Sequence, residues 1–282
     1  MTRIAITADT TCAISKEEAK ALGLHILPLN VIVDNIEYHD GVDIDNPTLT
    51  KMMRGGSVIK TSTPTFKELE DFFDGVFAEG YDKVIHFTIS GSLSSMYSMF
   101  TLGCEERYGD KVAVIDSKLV CSYMGNLVKY ADKLNKEGKP FEEIVELSKE
   151  RAGLVEIYFL PESMEFLKRG GRVSPALAAI GGLLGIKPVL IFRNAVIEKY
   201  GTTRSLKQIA PKIVEELSKN GYTPEEYEIH IVELDADISV KVATDFMAKA
   251  FPGFDIKVTP LSINVAAHTG PGTVGIGIVK KV

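Results

Sequence analysis

The sequence is short of several things, and each shortage excludes a class of protein. Cys12, Cys104 and Cys121 are an odd number without a CxxC pair, so neither a disulfide framework nor a zinc ribbon is indicated. The five histidines show no ligand spacing, and no structural metal is expected. No apolar run approaches the ~18 residues that span a bilayer. The start, MTRIAITADTT, goes straight into a strand and lacks the long apolar core of a secretory signal. Positive charge is not in excess either: 32 Lys and Arg face 38 Asp and Glu, a net −6 that argues against a nucleic-acid partner. Low-complexity tracts are missing, with 12 prolines and 24 glycines spread as punctuation. The expectation is a cytoplasmic protein with no stable membrane insertion.

What is present is an alternation of strands and helices over 282 residues, length enough for two domains. Arg3–Ala8 reads as a buried strand and Ser15–Glu18 as a capping box opening a helix. Ile26–Val33 and Ile36–Tyr38 read as a hairpin about Asp34-Asn35. Thr63 or Thr65 can cap a helix to about Glu79, with Pro64 early in it and Glu68 completing a second capping box. Strand 83–88, helix 94–107, strand 111–115 and two further helices follow to residue 152. The pattern predicts a mainly parallel sheet with helices on both faces, whose ligands sit beyond the carboxyl ends of the strands. After about residue 150 the pattern restarts with strand 155–160 and a short helix, Pro161–Lys168. Ser174–Leu184 then reads as an apolar helix, and 187–192 with 195–200 as a hairpin about Arg193-Asn194. Further strands and helices run to a last strand, 273–280. The fold class is thus α/β, with two α/β domains at 1–150 and 151–282, the second built on a mixed sheet.

Three stretches are crowded with hydroxyls: Lys60–Thr65, Ser90–Ser95 in HFTISGSLSSMY, and His268–Thr273. A hydroxyl-rich turn between a strand end and a helix start can offer an anion both side-chain O–H groups and free backbone N–H groups. Gly270–Gly275 spells the dinucleotide fingerprint, but that motif must open a helix inside a βαβ unit, and only seven residues remain. No P-loop signature occurs. A serine hydrolase using Ser94 and His268 is the enzymatic alternative. Met96, two residues after Ser94, would crowd the strained elbow such a nucleophile needs. Lys168, Arg169 and Arg172 crowd one glycine turn. They read as a solvated charged turn or as a docking patch for an acidic or phosphorylated partner, or Arg172 packs inward as an ion pair with Glu165. The apolar run 176–186 reads as core with small residues that leave room for a long apolar ligand.

Taken in order, Asp9-Thr10-Thr11, Thr61-Ser62-x-Pro64, Ile89-Ser-x-Ser-Leu-Ser94 and Val114-Ile-Asp-Ser117 form a specific set. Leu167-x-x-Gly-Gly-Arg-Val-Ser174, Gly185-Ile-Lys-Pro188 and His268-Thr-Gly-Pro-Gly-Thr273 complete it. Together they resemble the DegV family of bacterial fatty-acid-binding proteins over nearly the whole chain, departing from its usual residues at Ser95 and Met96. The resemblance implies a non-catalytic protein without cofactor that holds a long-chain fatty acid. Its carboxylate would lie at Thr61, Ser62, Ser94, His268 and Thr269. The acid would be presented to a separate ATP-dependent fatty acid kinase for acyl-phosphate formation and phospholipid synthesis, and the charged turn at Arg169 and Arg172 offers a docking patch for it.

Overall fold

The computed structural model describes residues 2–178 and 185–282. The chain opens with β1 (Ile4–Asp9), α1 (Lys16–Leu22) and β2 (His25–Leu27). Ser15 caps α1, accepting from the Glu18 N–H at 3.1 Å. The reciprocal half of the expected capping box is missing, because Glu18 turns instead to Lys129, 2.6 Å away. The single strand expected over Ile26–Val33 is two strands. Pro28 cannot donate to a ladder and ends β2. After it, β3 (Asn30–Val33) enters a different sheet. It pairs antiparallel with β4 (Ile36–His39) across Asp34 and Asn35, both left-handed at φ 49° and 69°, as a two-residue hairpin turn requires.

Then come α2 (Asn46–Arg54), capped by Asp45, β5 (Ile59–Ser62) and α3 (Phe66–Ala78). β5 was not anticipated as a strand: the hydroxyls of Lys60–Thr65 hide an Ile-Lys-Thr-Ser alternation that pairs with the free edge of β3. The Thr65–Glu68 capping box is complete, with both reciprocal bonds made. β6 (Lys83–Thr88), α4 (Met96–Tyr108), β7 (Val112–Asp116), α5 (Cys121–Lys136) and α6 (Phe141–Arg151) follow. The result is a four-stranded parallel sheet, β2-β1-β6-β7, beside the three-stranded β4-β3-β5.

β8 (Ile157–Leu160) is followed by α7 (Glu165–Gly170), which begins four residues later than the sequence suggests, and by α8 (Pro175–Ala178). Residues 179–184 of the expected apolar helix lie outside the described residues. β9 (Lys187–Arg193) and β10 (Val196–Thr203) form the expected hairpin, but its left-handed residues are Asn194 and Ala195, one place further on. α9 (Leu206–Ser218), β11 (Tyr227–Leu234), α10 (Asp237–Ala250), β12 (Ile256–Pro260), α11 (Ile263–Thr269) and β13 (Thr273–Lys280) complete the chain. Six strands make a mixed sheet in the order β10-β9-β8-β13-β11-β12, with only β11 and β12 parallel. No helix among the described residues is long and apolar enough to cross a membrane.

One apolar cluster runs from Ile4 and Ile6 through Met124 and Leu127 on α5 to Ile157, Phe159 and Val232. α5 therefore lies between the parallel and mixed sheets. Its first turn carries a polar strut. Tyr123 donates to the His230 carbonyl at 3.0 Å, and His230 joins Ser122 (3.0 Å) and Glu228 (2.9 Å) through its two ring nitrogens. Burial alone would raise the Glu228 pKa, but the bonds and charges of His230 and Lys257 outweigh it and hold the carboxylate down to about 2. Glu228→Ala leaves His230 buried without its acceptor, so a loss of about 3 kcal/mol is expected. Lys257→Met at the half-exposed end should cost under about 1 kcal/mol. Urea titrations at neutral pH compare the two; equal losses would mean that the strut is not what binds α5 to the sheet.

Candidate functional site

Between the carboxyl ends of β1, β5 and β6 and the face of β8, β11 and β13 lies a cavity with about 970 Å³ of space free of protein atoms, its open mouth included. Among its polar lining residues are Thr61, Ser62, Thr63, Ser94, Arg172 and His268; Thr61 bonds to His268, and Arg172 to the carbonyl of Leu93, next to Ser94. The remainder is lined chiefly by apolar side chains, among them Ile157, Phe159, Leu167, Phe192, Ile197 and Val232. Thr61, Ser62, Ser94, His268 and Thr269 thus meet at one cavity, as does Arg172, but not Arg169.

Each polar residue has a local reason for its place. Thr61 sits in β5, where strand alternation buries Ile59 and turns Lys60 outward. His268 lies in the last turn of α11, a helix not expected from the sequence, which ends at Gly270 and leads into β13. The GxGxxG spelling therefore closes a helix and opens a strand, the reverse of a dinucleotide loop. His268 Nε2 meets Thr61 Oγ1 at 2.9 Å, while Nδ1 is buried without a partner. Gly170 is why Nδ1 can sit there, since a Cβ at that residue would fall 2.1 Å from it. Burial pushes the His268 pKa down to about 4, and the Arg172 charge adds to the shift, so the ring is neutral at pH 7. A neutral imidazole carries one N–H, and an orphaned buried donor is the rarer defect. The proton therefore belongs on Nε2, donated to Thr61, which leaves the Thr61 O–H free to donate into the cavity.

The loop after β6 commits four of the N–H groups that the sequence suggested were free. Ile89 N–H goes to Asp9 (3.0 Å), Ser90 N–H to the Leu119 carbonyl (3.1 Å), Gly91 N–H to Asp116 (2.9 Å) and Leu93 N–H to the Ser90 carbonyl (3.0 Å). Among the described residues no acceptor is bonded to the Ser92, Ser94 or Ser95 N–H, and the side-chain hydroxyls stand beside them. Ser94 Oγ accepts from Met96 N–H at 3.2 Å and keeps its own proton to donate. Thr269 Oγ1 donates to the Val265 carbonyl at 3.2 Å, so its proton is committed to the backbone. Met96, only 2% exposed, walls the cavity with a thioether.

The arginines separate. Arg169 pairs with Glu165 on the exposed side of α7, the bond that the sequence offered as an alternative for Arg172. Arg172 instead donates to the carbonyls of Leu93 (3.2 Å) and Gly170, and no carboxylate among the described residues pairs with it. Thr11 and Asn264 also line the cavity and were not picked from the sequence. For Thr11 a signal existed, because Asp9-Thr10-Thr11 stands at the carboxyl end of β1. Ser94 and His268 are not hydrogen-bonded to each other, and nothing among the described residues orients His268 Nδ1. The nucleophile, base and orienting group of a hydrolase are therefore not assembled.

The chain aligns with the DegV family, a family described as uncharacterised proteins, over residues 3–281. A DegV domain-containing protein of Clostridium perfringens is 31% identical over 288 residues, covering 100% of both chains. A DegV family protein from Thermus thermophilus, described as binding fatty acid, superposes with a TM-score of 0.89 at 26% identity, over 99% of this chain and 100% of that one. A stearic-acid-binding protein from Eubacterium ventriosum does so with a TM-score of 0.84 at 26% identity, over 100% and 99%. The alignment runs from ahead of β1 to the end of β13, and the fold is shared throughout. This chain belongs to the DegV family.

Proposed function

We propose that the chain binds a long-chain fatty acid, tail in the apolar cavity and carboxylate at its hydroxyl end, and presents that carboxylate to a separate ATP-dependent kinase. The observation that carries the reading is a chiefly apolar cavity at which Thr61, Ser94 and His268 meet. Residues 1–150 bring Thr61, Ser62 and Ser94; residues 151–282 bring His268 and most of the apolar lining. Thr61 and Ser94 have protons to donate, and His268 acts through Thr61. Each buried methylene contributes ~0.8 kcal/mol, so about a dozen outweigh the head group, whose charged hydrogen bonds give roughly 1.5–3 kcal/mol each. The tail sets affinity and the hydroxyls set orientation. Arg172 borders the same site, but its Nε and one Nη donate to the Leu93 and Gly170 carbonyls instead of forming a bidentate clamp; hydroxyl donors leave the carboxylate reactive toward ATP. The resemblance to fatty-acid-binding neighbours supports the first half of the proposal. The exposed cations Arg169 and Arg172, either side of the turn that packs on His268, supply the second half with a face for an anionic partner.

Purified protein is expected to carry one long-chain acid per chain, read by mass spectrometry of a denaturing extract. An extract without stoichiometric acid, from protein that also fails to take up added acid, would end the proposal.

A further inference from the structure

The loop that carries Ser94 is held from both sides by carboxylates at the ends of the strands flanking β6. On one side stands Asp9, the last residue of β1, 0% exposed. Its Oδ2 accepts the Ile89 N–H at 3.0 Å; its Oδ1 accepts the Thr11 N–H at 2.8 Å and also the Thr11 hydroxyl. On the other side Asp116, the last residue of β7, accepts the N–H groups of Gly91 (2.9 Å) and Lys118 (2.8 Å). Thr11, Ile89 and Ser94 all border the cavity, whereas Asp9 itself does not reach it.

Among the described residues no lysine or arginine pairs with Asp9. A buried carboxylate without a cation is expensive, and burial lifts its pKa to about 6 although the bonds from Thr11 and Ile89 oppose the shift. An apolar side chain would serve the core better. What only an acceptor with two oxygens can do is hold three donors from two different segments at once. We infer that Asp9 is a positioning residue: by tying Ile89 to Thr11 it sets where the Ser94 hydroxyl stands, and so governs selection of a carboxylate over an uncharged head group without touching the ligand. Asp116 steadies the same loop from the opposite side.

The inference rests on the fatty-acid reading of the cavity, and its test separates the two. Affinities for a long-chain acid and for the primary alcohol of the same chain length are measured on wild type and on Asp9→Asn. The amide keeps one acceptor oxygen but turns an NH2 toward the Ile89 or Thr11 donors. Acid affinity is expected to fall by about tenfold or more, the worth of one charge-assisted bond. Alcohol affinity should change less than about threefold, and the melting temperature should hold or rise. Asp116→Ala should shift the same ratio in the same direction, more weakly, and serves if Asp9→Asn does not fold. Equal loss of both ligands with a lower melting temperature would make Asp9 merely structural and overturn the inference, as would an unchanged ratio in both variants. A wild-type protein with no preference for the acid would remove the proposed function, and the inference with it.

Discussion

A single methyl group added at Gly170 is expected to weaken fatty-acid binding by about ten- to a hundredfold. The Cβ of Gly170→Ala would lie 2.1 Å from His268 Nδ1, 3.1 Å from Cε1 and 3.2 Å from Cγ. Real Cβ atoms do not approach so closely, so either the ring leaves or α7 slides off α11. The ring is the softer element, because its other nitrogen is tied only to Thr61, at 2.9 Å. Once it swings away, Thr61 loses the donor that fixes its hydroxyl, and the head group loses an oriented bond of roughly 1.5–3 kcal/mol. Overpacking itself costs about 1–3 kcal/mol of stability, so the variant should fold with a lower melting temperature. Gly171→Ala is the control. Its φ of 67° strains any L residue by about 1–2 kcal/mol, but nothing lies within 4 Å of its Cβ. It should lose stability and keep affinity. Competition against a fluorescent acid measures both. If Gly170→Ala binds as wild type does, the Thr61–His268 pair is not what reads the carboxylate.

The parts of the chain that were legible in the sequence are those whose signal is local. Asp34-Asn35 announced its hairpin, and Thr63 or Thr65 with Glu68 announced α3, because turn chemistry and caps act over two to four residues. The strand expected over 26–33 failed at Pro28, whose missing N–H matters only once the sheet partner is known. β5 was hidden by its own hydroxyls, and α11 by its length: a seven-residue helix ahead of Gly-Pro-Gly is too short to show a period, and its stability comes from tertiary packing. The hydroxyl and imidazole residues of the site could be named because their types are unusual in such density. Their chemistry could not, since the Thr61–His268 bond joins positions 207 residues apart. The carboxylates that take the Ile89 and Gly91 N–H groups come from the ends of other strands in the same way.

Acid unfolding is expected only below about pH 4, after a nearly flat region, because two pairs of buried groups titrate against each other. His86 stands among Phe72, Phe73 and Phe100 with one nitrogen on Thr7 and the other unpartnered. Burial pushes its pKa down to about 3 and, with Arg172, that of His268 down to about 4. Between their ordinary value of 6.5 and these values the unfolded chain binds more protons, so stability falls with falling pH at about 1.4 kcal/mol per unit for each ring. Asp9 and Asp40 run the other way. Burial raises both to about 6, against hydrogen bonds that lower them, and Asp40 feels the Asp9 charge as well. From about 6 down to their unfolded value of 3.8 the folded chain binds the extra protons, and stability rises as pH falls, at the same slope for each carboxyl. Two rising and two falling contributions nearly cancel from about pH 6 to 4. Below that the aspartates are spent, His86 continues to lose, and Glu228, held at about 2 against 4.5 unfolded, loses its stabilising charge as well. Urea midpoints from pH 7 to 3 should show the shoulder and then the drop. His86→Phe should turn the shoulder into a rise, since it removes one falling group and leaves both aspartates. A wild-type curve that declines steadily from pH 6.5 would mean that the two aspartates titrate at ordinary values, and with it the unpaired burial of Asp9 would fall.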